Sequence, residues 1–119
     1  MLNGNKIQQE LIRMGANPSL KGFQLLPDAL NAIDAEIKDG NEIGMKITCI
    51  YEAVGKLKNC TGVSVERNLR HFFERFRRKP DGAEIIGEKP TNKEALFLLY
   101  YKFKGEENEE NQKNSTTQG

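Results

Sequence analysis

Apolar side chains recur along most of this chain at intervals of three and four residues, the spacing that gathers them on one face of an α-helix. Ile7, Leu11, Ile12 and Met14 outline a short amphipathic first helix, and Gly15 is placed to stop it in the left-handed conformation. Asn17-Pro18-Ser19 reads as a connector. Leu26, Leu30, Ile33 and Ile37 then stand at i, i+4, i+7 and i+11, marking a second helix that closes at Lys38-Asp39-Gly40. Pro27 is expected in the first turn of that helix, where its missing N–H costs nothing. Asn41 to Lys46, with Gly44, reads as a loop.

A third helix is expected from Ile47 to Lys58, with Ile50, Val54 and Leu57 on one face and Tyr51 beside them. Gly55 weakens it by about 1 kcal/mol relative to Ala, unless another backbone comes close there. Asn59-Cys60-Thr61-Gly62 makes a short break. The fourth helix, about Val63 to Lys79, is the most strongly patterned and is expected to stop at Pro80-Asp81-Gly82. A short element around Ala83–Ile86 follows. The last helix takes Thr91 or Asn92 as its N-cap and turns Leu96, Leu99, Tyr100 and Phe103 inward. No alternating strand pattern is present. The expected fold class is all-α, a compact bundle of five to six helices containing a helix-turn-helix.

A length of 119 residues suits one domain, and 37% hydrophobic residues can fill a single modest core. No apolar run approaches the ~18–20 residues that span a bilayer, so no membrane partner is expected. The N-terminus lacks the basic start and apolar stretch of a signal peptide. Cys49 and Cys60 are too few for a disulfide framework and are expected as reduced, buried, small hydrophobes. These features together describe a cytoplasmic protein.

Charge adds what composition conceals. Lys and Arg number 18 against 17 Asp and Glu, a net of +1 that by itself discourages a nucleic-acid reading. Residues 105–119, however, hold four Glu, one Lys and no aromatic or aliphatic side chain, for a charge of −3. That segment is expected to be a disordered acidic tail, because it buries too little apolar surface to offset its ordering entropy. Residues 1–104 keep 17 basic and 13 acidic side chains, a net of +4, and form the expected helix-turn-helix domain.

The fourth helix concentrates this charge. At about 100° per residue, Val65, Leu69, Phe72, Phe73 and Phe76 share one arc and face the core. The opposite arc carries Glu66, Arg67, Arg70, His71, Glu74, Arg77 and Arg78. From Thr61 to Lys79 there are six basic residues against two acids. A charged face is usually only a solvated one. Here Arg67 and Arg70 sit near the helix N-terminus, where a recognition helix reaches base edges. Arginine matches guanine O6 and N7 bidentately, and Glu66 can accept from cytosine N4. The excess of Arg over Lys suits such planar contacts. His71 is expected to donate to a phosphate or at the core edge.

The same residues carry a family resemblance. Leu20-Lys21-Gly22-Phe23-Gln24-Leu25-Leu26, then Tyr51, then Val65-Glu66-Arg67-Asn68-Leu69-Arg70-His71, then Lys89-Pro90-Thr91-Asn92 resemble the C-terminal effector domain of the sporulation master regulator of endospore-forming Firmicutes. The likeness runs from about Glu10 to Lys104. It implies a six-helix, response-regulator effector-like domain that binds short promoter boxes of double-stranded DNA, docks in tandem copies and contacts RNA polymerase. It assigns base reading to Glu66, Arg67 and Arg70. Backbone contacts are expected from Lys21, Thr61, Ser64, His71, Arg77, Arg78, Lys79, Lys89, Thr91, Asn92 and Lys93.

The sequence departs from the family pattern in places. Ser64 stands where a basic residue usually precedes Val-Glu-Arg, and the late tryptophan of the recognition helix is missing. Phe72-Phe73 replaces smaller or aliphatic residues, and Lys93 replaces a serine. The box that is read is therefore expected to differ. A chain of 119 residues leaves no room for a phosphorylated receiver domain, so control by phosphorylation is not expected.

Enzymatic chemistry finds no footing. His71 is the single histidine, and it has no nucleophile and orienting group arranged around it. Cys49, Cys60 and His71 have no metal-ligand spacing, and the glycines are scattered rather than gathered into a phosphate-cradling loop. No catalytic residue, metal, cofactor or small-molecule substrate is expected. The expected function is sequence-specific duplex binding in transcription regulation, with the fourth helix in the major groove. The alternative is a protein-interaction module that modulates a full-length regulator without binding DNA itself.

Overall fold

Asn3 begins the chain's first helix by accepting the backbone N–H groups of Asn5 and Lys6 at 3.0 and 3.2 Å, which satisfies two otherwise orphaned donors. The helix it caps, α1, spans Gly4–Arg13, buries Ile7 and Leu11, and ends at Met14 and the left-handed Gly15 with φ of +93°. Ile12, expected on the buried face, points to solvent instead. It lies about 100° around the helix from Leu11, outside the apolar stripe. The computed structural model describes residues 1–40 and 45–117. Most of the loop expected at Asn41 to Lys46 lies outside the described residues.

The second helix, α2, spans Lys21–Lys38 and so begins a full turn before the expected start. Phe23 is buried three residues before Leu26 and extends the apolar stripe upstream. Pro27 consequently lies in the helix interior rather than in the first turn. There it removes one i→i−4 bond to Phe23, a loss offset by burial of Pro27 itself. Gly22 sets how closely α2 can approach the fourth helix. A Cβ at Gly22 would stand 2.4 Å from the Asn68 carbonyl oxygen and 2.6 Å from the Phe72 Cβ.

Helix α3 spans Ile47–Lys58 and α4 spans Gly62–Phe76. Between them Asn59 adopts φ of 61°, the left-handed cap that reverses the chain. Cys60 then donates its N–H to the Gly55 carbonyl at 2.8 Å. This is the close backbone approach that makes glycine useful at position 55, since a Cβ there would lie 2.5 Å from the Cys60 carbonyl oxygen. Ile50, Tyr51 and Val54 are buried, but Leu57 is 67% exposed and leaves the face assigned to it. Cys60 is partly buried against the core, whereas Cys49 is exposed and is not the buried small hydrophobe expected.

Pro80 decides where α4 stops. A residue before proline is driven out of the α region, and Lys79 is extended at φ −88°, ψ 143°. The helix therefore ends at Phe76, three residues short of the expected Lys79, and Arg77 to Lys79 form a tight turn. Pro80-Asp81-Gly82, expected as a terminator, opens α5, Pro80–Ile86, with proline in its first turn. The last helix, α6, spans Asn92–Thr117. Thr91 and Glu94 form a reciprocal capping box: Thr91 Oγ1 accepts the Glu94 N–H at 3.1 Å, and Glu94 accepts the Thr91 N–H at 3.3 Å. Leu96, Leu99, Tyr100 and Phe103 are buried, as the periodicity predicts. The helix continues without a break past Gly105, with Glu106 paired to Lys102 and Glu107 within 3.5 Å of Lys104.

Among the described residues there are six helices and no strand. Helix α4 runs through the middle of the core. Phe72 stacks on Phe76 with centroids 5.5 Å apart, meets Phe73 at 5.6 Å and reaches Phe23 of α2 at 6.4 Å. Val65 and Leu69 complete its buried stripe. Asp28 of α2 pairs with Lys58 of α3 at 3.2 Å, and no described helix is long and apolar enough to cross a membrane.

Candidate nucleic-acid interface

With its aromatic stripe sealed in the core, α4 turns its other side to solvent. Thr61 Oγ1 caps the helix by accepting the Ser64 N–H at 3.1 Å, so this hydroxyl already serves the local fold. Ser64 is half-buried, and its hydroxyl receives the Asn68 amide at 3.4 Å. Arg67, Arg70 and His71 are exposed. Glu66 is half-buried and pairs with Arg70 at 2.8 Å, one turn further along.

A second segment flanks this face. The turn Lys89-Pro90-Thr91 leads into α6, and Asn92 at its start donates its side-chain amide to the Glu66 carbonyl at 3.1 Å. Asn92 also hydrogen-bonds the Tyr51 hydroxyl of α3. Burial pushes that hydroxyl's pKa up, and the nearby Glu66 carboxylate adds to the effect, against the hydrogen bond from Asn92 and the charge of Arg70. Tyr51, Asn92 and Glu66 thus join α3, α6 and α4 at one corner. Arg77 reaches the same segment by donating to the Glu88 carbonyl.

The result is an open groove of about 320 Å³ that brings together Glu66, Arg70, Arg77, Lys89, Thr91 and Asn92. Lys93 follows on α6 and is exposed. Arg78 and Lys79 are not in this groove. With Arg75 they line a separate cavity of about 270 Å³ between the end of α4 and the connector at Gly15 to Leu20. Lys21 is exposed at the first residue of α2, beside the Gly22 contact with α4. Sequence alone missed Arg75 and placed Asn92 only among the backbone contacts. Arg75 gave no signal because it lies between the core arc and the charged arc. The anchoring role of Asn92 depends on a partner 26 residues away.

Among the described residues, no three His, Cys, Asp or Glu side chains come together to hold a metal ion. The sequence model of the family described as the sporulation initiation factor Spo0A C terminal matches residues 7–103. The chain belongs to this family. Membership in the Spo0A C-terminal family makes it one of the DNA-binding effector domains of sporulation transcription regulators. The matched span runs from Ile7 within α1 to Phe103 in the buried part of α6 and includes all of α4, the helix on which this Spo0A C-terminal domain carries its exposed arginines. Searches among curated proteins and solved structures give no significant match.

Proposed function

We propose that this Spo0A C-terminal domain binds double-stranded DNA sequence-specifically, with the first turns of α4 in the major groove. The observation that carries the proposal is that Arg67 and Arg70 stand exposed near the capped N-terminus of a helix whose other face is locked in an aromatic core. Such a helix holds its guanidinium groups in a fixed register, which base reading requires. Arg67 and Arg70 read guanine edges, and Glu66 accepts from cytosine. Lys21, Ser64, His71, Arg77, Lys89, Thr91 and Lys93 contact phosphates around that helix, with Arg78 and Lys79 reaching the backbone beyond its end. Thr61 and Asn92 contribute by holding the ends of α4 and α6 in place as well as lying near the backbone.

The proposed DNA-binding unit is residues 1–104, with the acidic segment appended to it. Tandem copies on adjacent promoter boxes, contact with RNA polymerase and a cytoplasmic location extend the same reading.

Selection of bound duplexes from a random library, followed by titration at several salt concentrations, tests it. The expected result is an enriched box whose affinity falls steeply with salt. A purified protein that enriches no sequence, yet co-elutes with a full-length regulator, would overturn it in favour of the interaction-module reading.

A further inference from the structure

One exposed residue on the outer face of α4 is apolar. Val63 lies in the helix's first turn and is 68% exposed. At about 100° per residue its Cβ direction falls between those of Arg70 and Glu74, with Arg67 just beyond, in the centre of the charged arc. Its neighbour Ser64 is half-buried and bonded to Asn68, so Val63 is the outermost side chain of that turn. It also borders an apolar-lined groove of about 280 Å³ shared with Thr48, Tyr51 and Glu66. A solvated helix face gains nothing from an exposed β-branched side chain in its first turn. A major-groove face gains an apolar contact surface.

We propose that Val63 is a specificity-determining residue that reads thymine by packing its methyl groups against the 5-methyl group of the base. The inference rests on the DNA-binding reading above. The 5-methyl is the one apolar feature that the major groove displays, and arginine and glutamate cannot sense it. Placed one turn before Arg67, Val63 reads a base pair next to the one that Arg67 contacts. The recognised box therefore contains a thymine beside a guanine contact, a preference that neither Arg67 nor Arg70 supplies.

Replacing each thymine of a selected duplex by deoxyuridine removes only the methyl group. Wild-type protein should lose about fourfold in affinity at one such position, the ~0.8 kcal/mol of a buried methyl converted at ~1.4 kcal/mol per tenfold. Val63→Ala should bind the thymine duplex about fourfold more weakly and be indifferent to deoxyuridine at that position, while keeping the wild-type response elsewhere. Val63→Thr, which retains one methyl, should fall between. Equal deoxyuridine effects in wild type and Val63→Ala at every position overturn the inference, as does a selected box lacking thymine. In both cases specific binding survives, whereas failure of the DNA-binding reading appears as no enriched duplex at all.

Discussion

Arg70 places a guanidinium nitrogen 2.8 Å from the Glu66 carboxylate, while Arg67, between them in sequence, points to solvent. The two arginines therefore enter a complex from different states. Arg67→Ala should lose about 1–3 kcal/mol of binding and relax preference at one base pair. Arg70→Ala should lose a comparable amount at another, less whatever is spent in breaking the exposed pair, about 0–1 kcal/mol. Glu66→Gln releases Arg70 and removes a negative charge from a face that meets phosphate. It should bind random duplex more tightly at low salt and discriminate less well against mismatched boxes. Mobility shifts on a selected box and on point-mutated boxes separate these outcomes.

Contacts with phosphate should behave differently from contacts with bases. Lys21→Ala and Lys89→Ala should each weaken all sequences alike and reduce the slope of log affinity against log salt by about 1. A change in the ranking of boxes, with the slope untouched, would remove that lysine from the backbone set.

Asn92 offers a test of how α4 is held. Its amide bonds the Glu66 carbonyl at 3.1 Å and its side chain also meets Tyr51. Asn92→Ala should cost about 1 kcal/mol in stability, seen as a fall of roughly 4 °C in thermal midpoint for a domain of this size. Tyr51→Phe should cost less, because the direct tether to Glu66 remains. A purely phosphate-contacting Asn92 would leave the melting temperature unchanged and alter only DNA binding.

The helical framework was legible because core-facing residues repeat at a period that few other structures share. Val65, Leu69, Phe72, Phe73 and Phe76 are all buried where that period puts them. The misplaced helix boundaries arise from local features that periodicity does not encode. Pro27 resembles a first-turn residue in sequence because Phe23, one turn earlier, belongs to a motif as well as to the stripe. Pro80 looked like a terminator because proline ends one helix and begins the next by the same restriction of φ. On the site, exposed charge on α4 was visible in sequence. The corner made by Tyr51, Asn92 and Glu66 was not, since three separate helices supply it.

Gly22 tests whether the spacing of α2 and α4 matters to the fold. Alanine normally improves a helix by about 1 kcal/mol over glycine. Here the added Cβ would lie 2.4 Å from the Asn68 carbonyl oxygen, so the helices must separate and the Phe23–Phe72 contact must loosen. Gly22→Ala should therefore be destabilising by about 1–3 kcal/mol, the usual range for overpacking, despite its better propensity. Urea denaturation gives the sign directly. A stabilised variant would mean that α2 shifts without strain.

Asp34 links stability to pH. It is buried, and it accepts the Tyr100 hydroxyl at 2.7 Å, with Lys38 at 3.2 Å, Lys104 at 3.4 Å and the Met1 amino group at 3.6 Å. Burial alone would raise its pKa. The hydrogen bonds from Tyr100 and Lys38 and the charge of Lys104 outweigh burial and hold it at about 2, from an ordinary 3.8. Because the folded state binds this proton less readily than the unfolded one, the ionised carboxylate contributes stability above about pH 4. That contribution, on the order of 2 kcal/mol, is lost progressively as pH falls from about 4 to about 2. Tyr100→Phe removes a donor to the carboxylate and should move the acid loss to higher pH. Asp34→Asn should be destabilised at pH 7, where Lys38 and Lys104 lose their shared counter-charge, and should show a shallower decline between pH 4 and 2. Chemical denaturation of wild type and both variants from pH 2 to 7 measures the difference. Parallel curves for wild type and Asp34→Asn would show that other carboxylates carry the acid sensitivity.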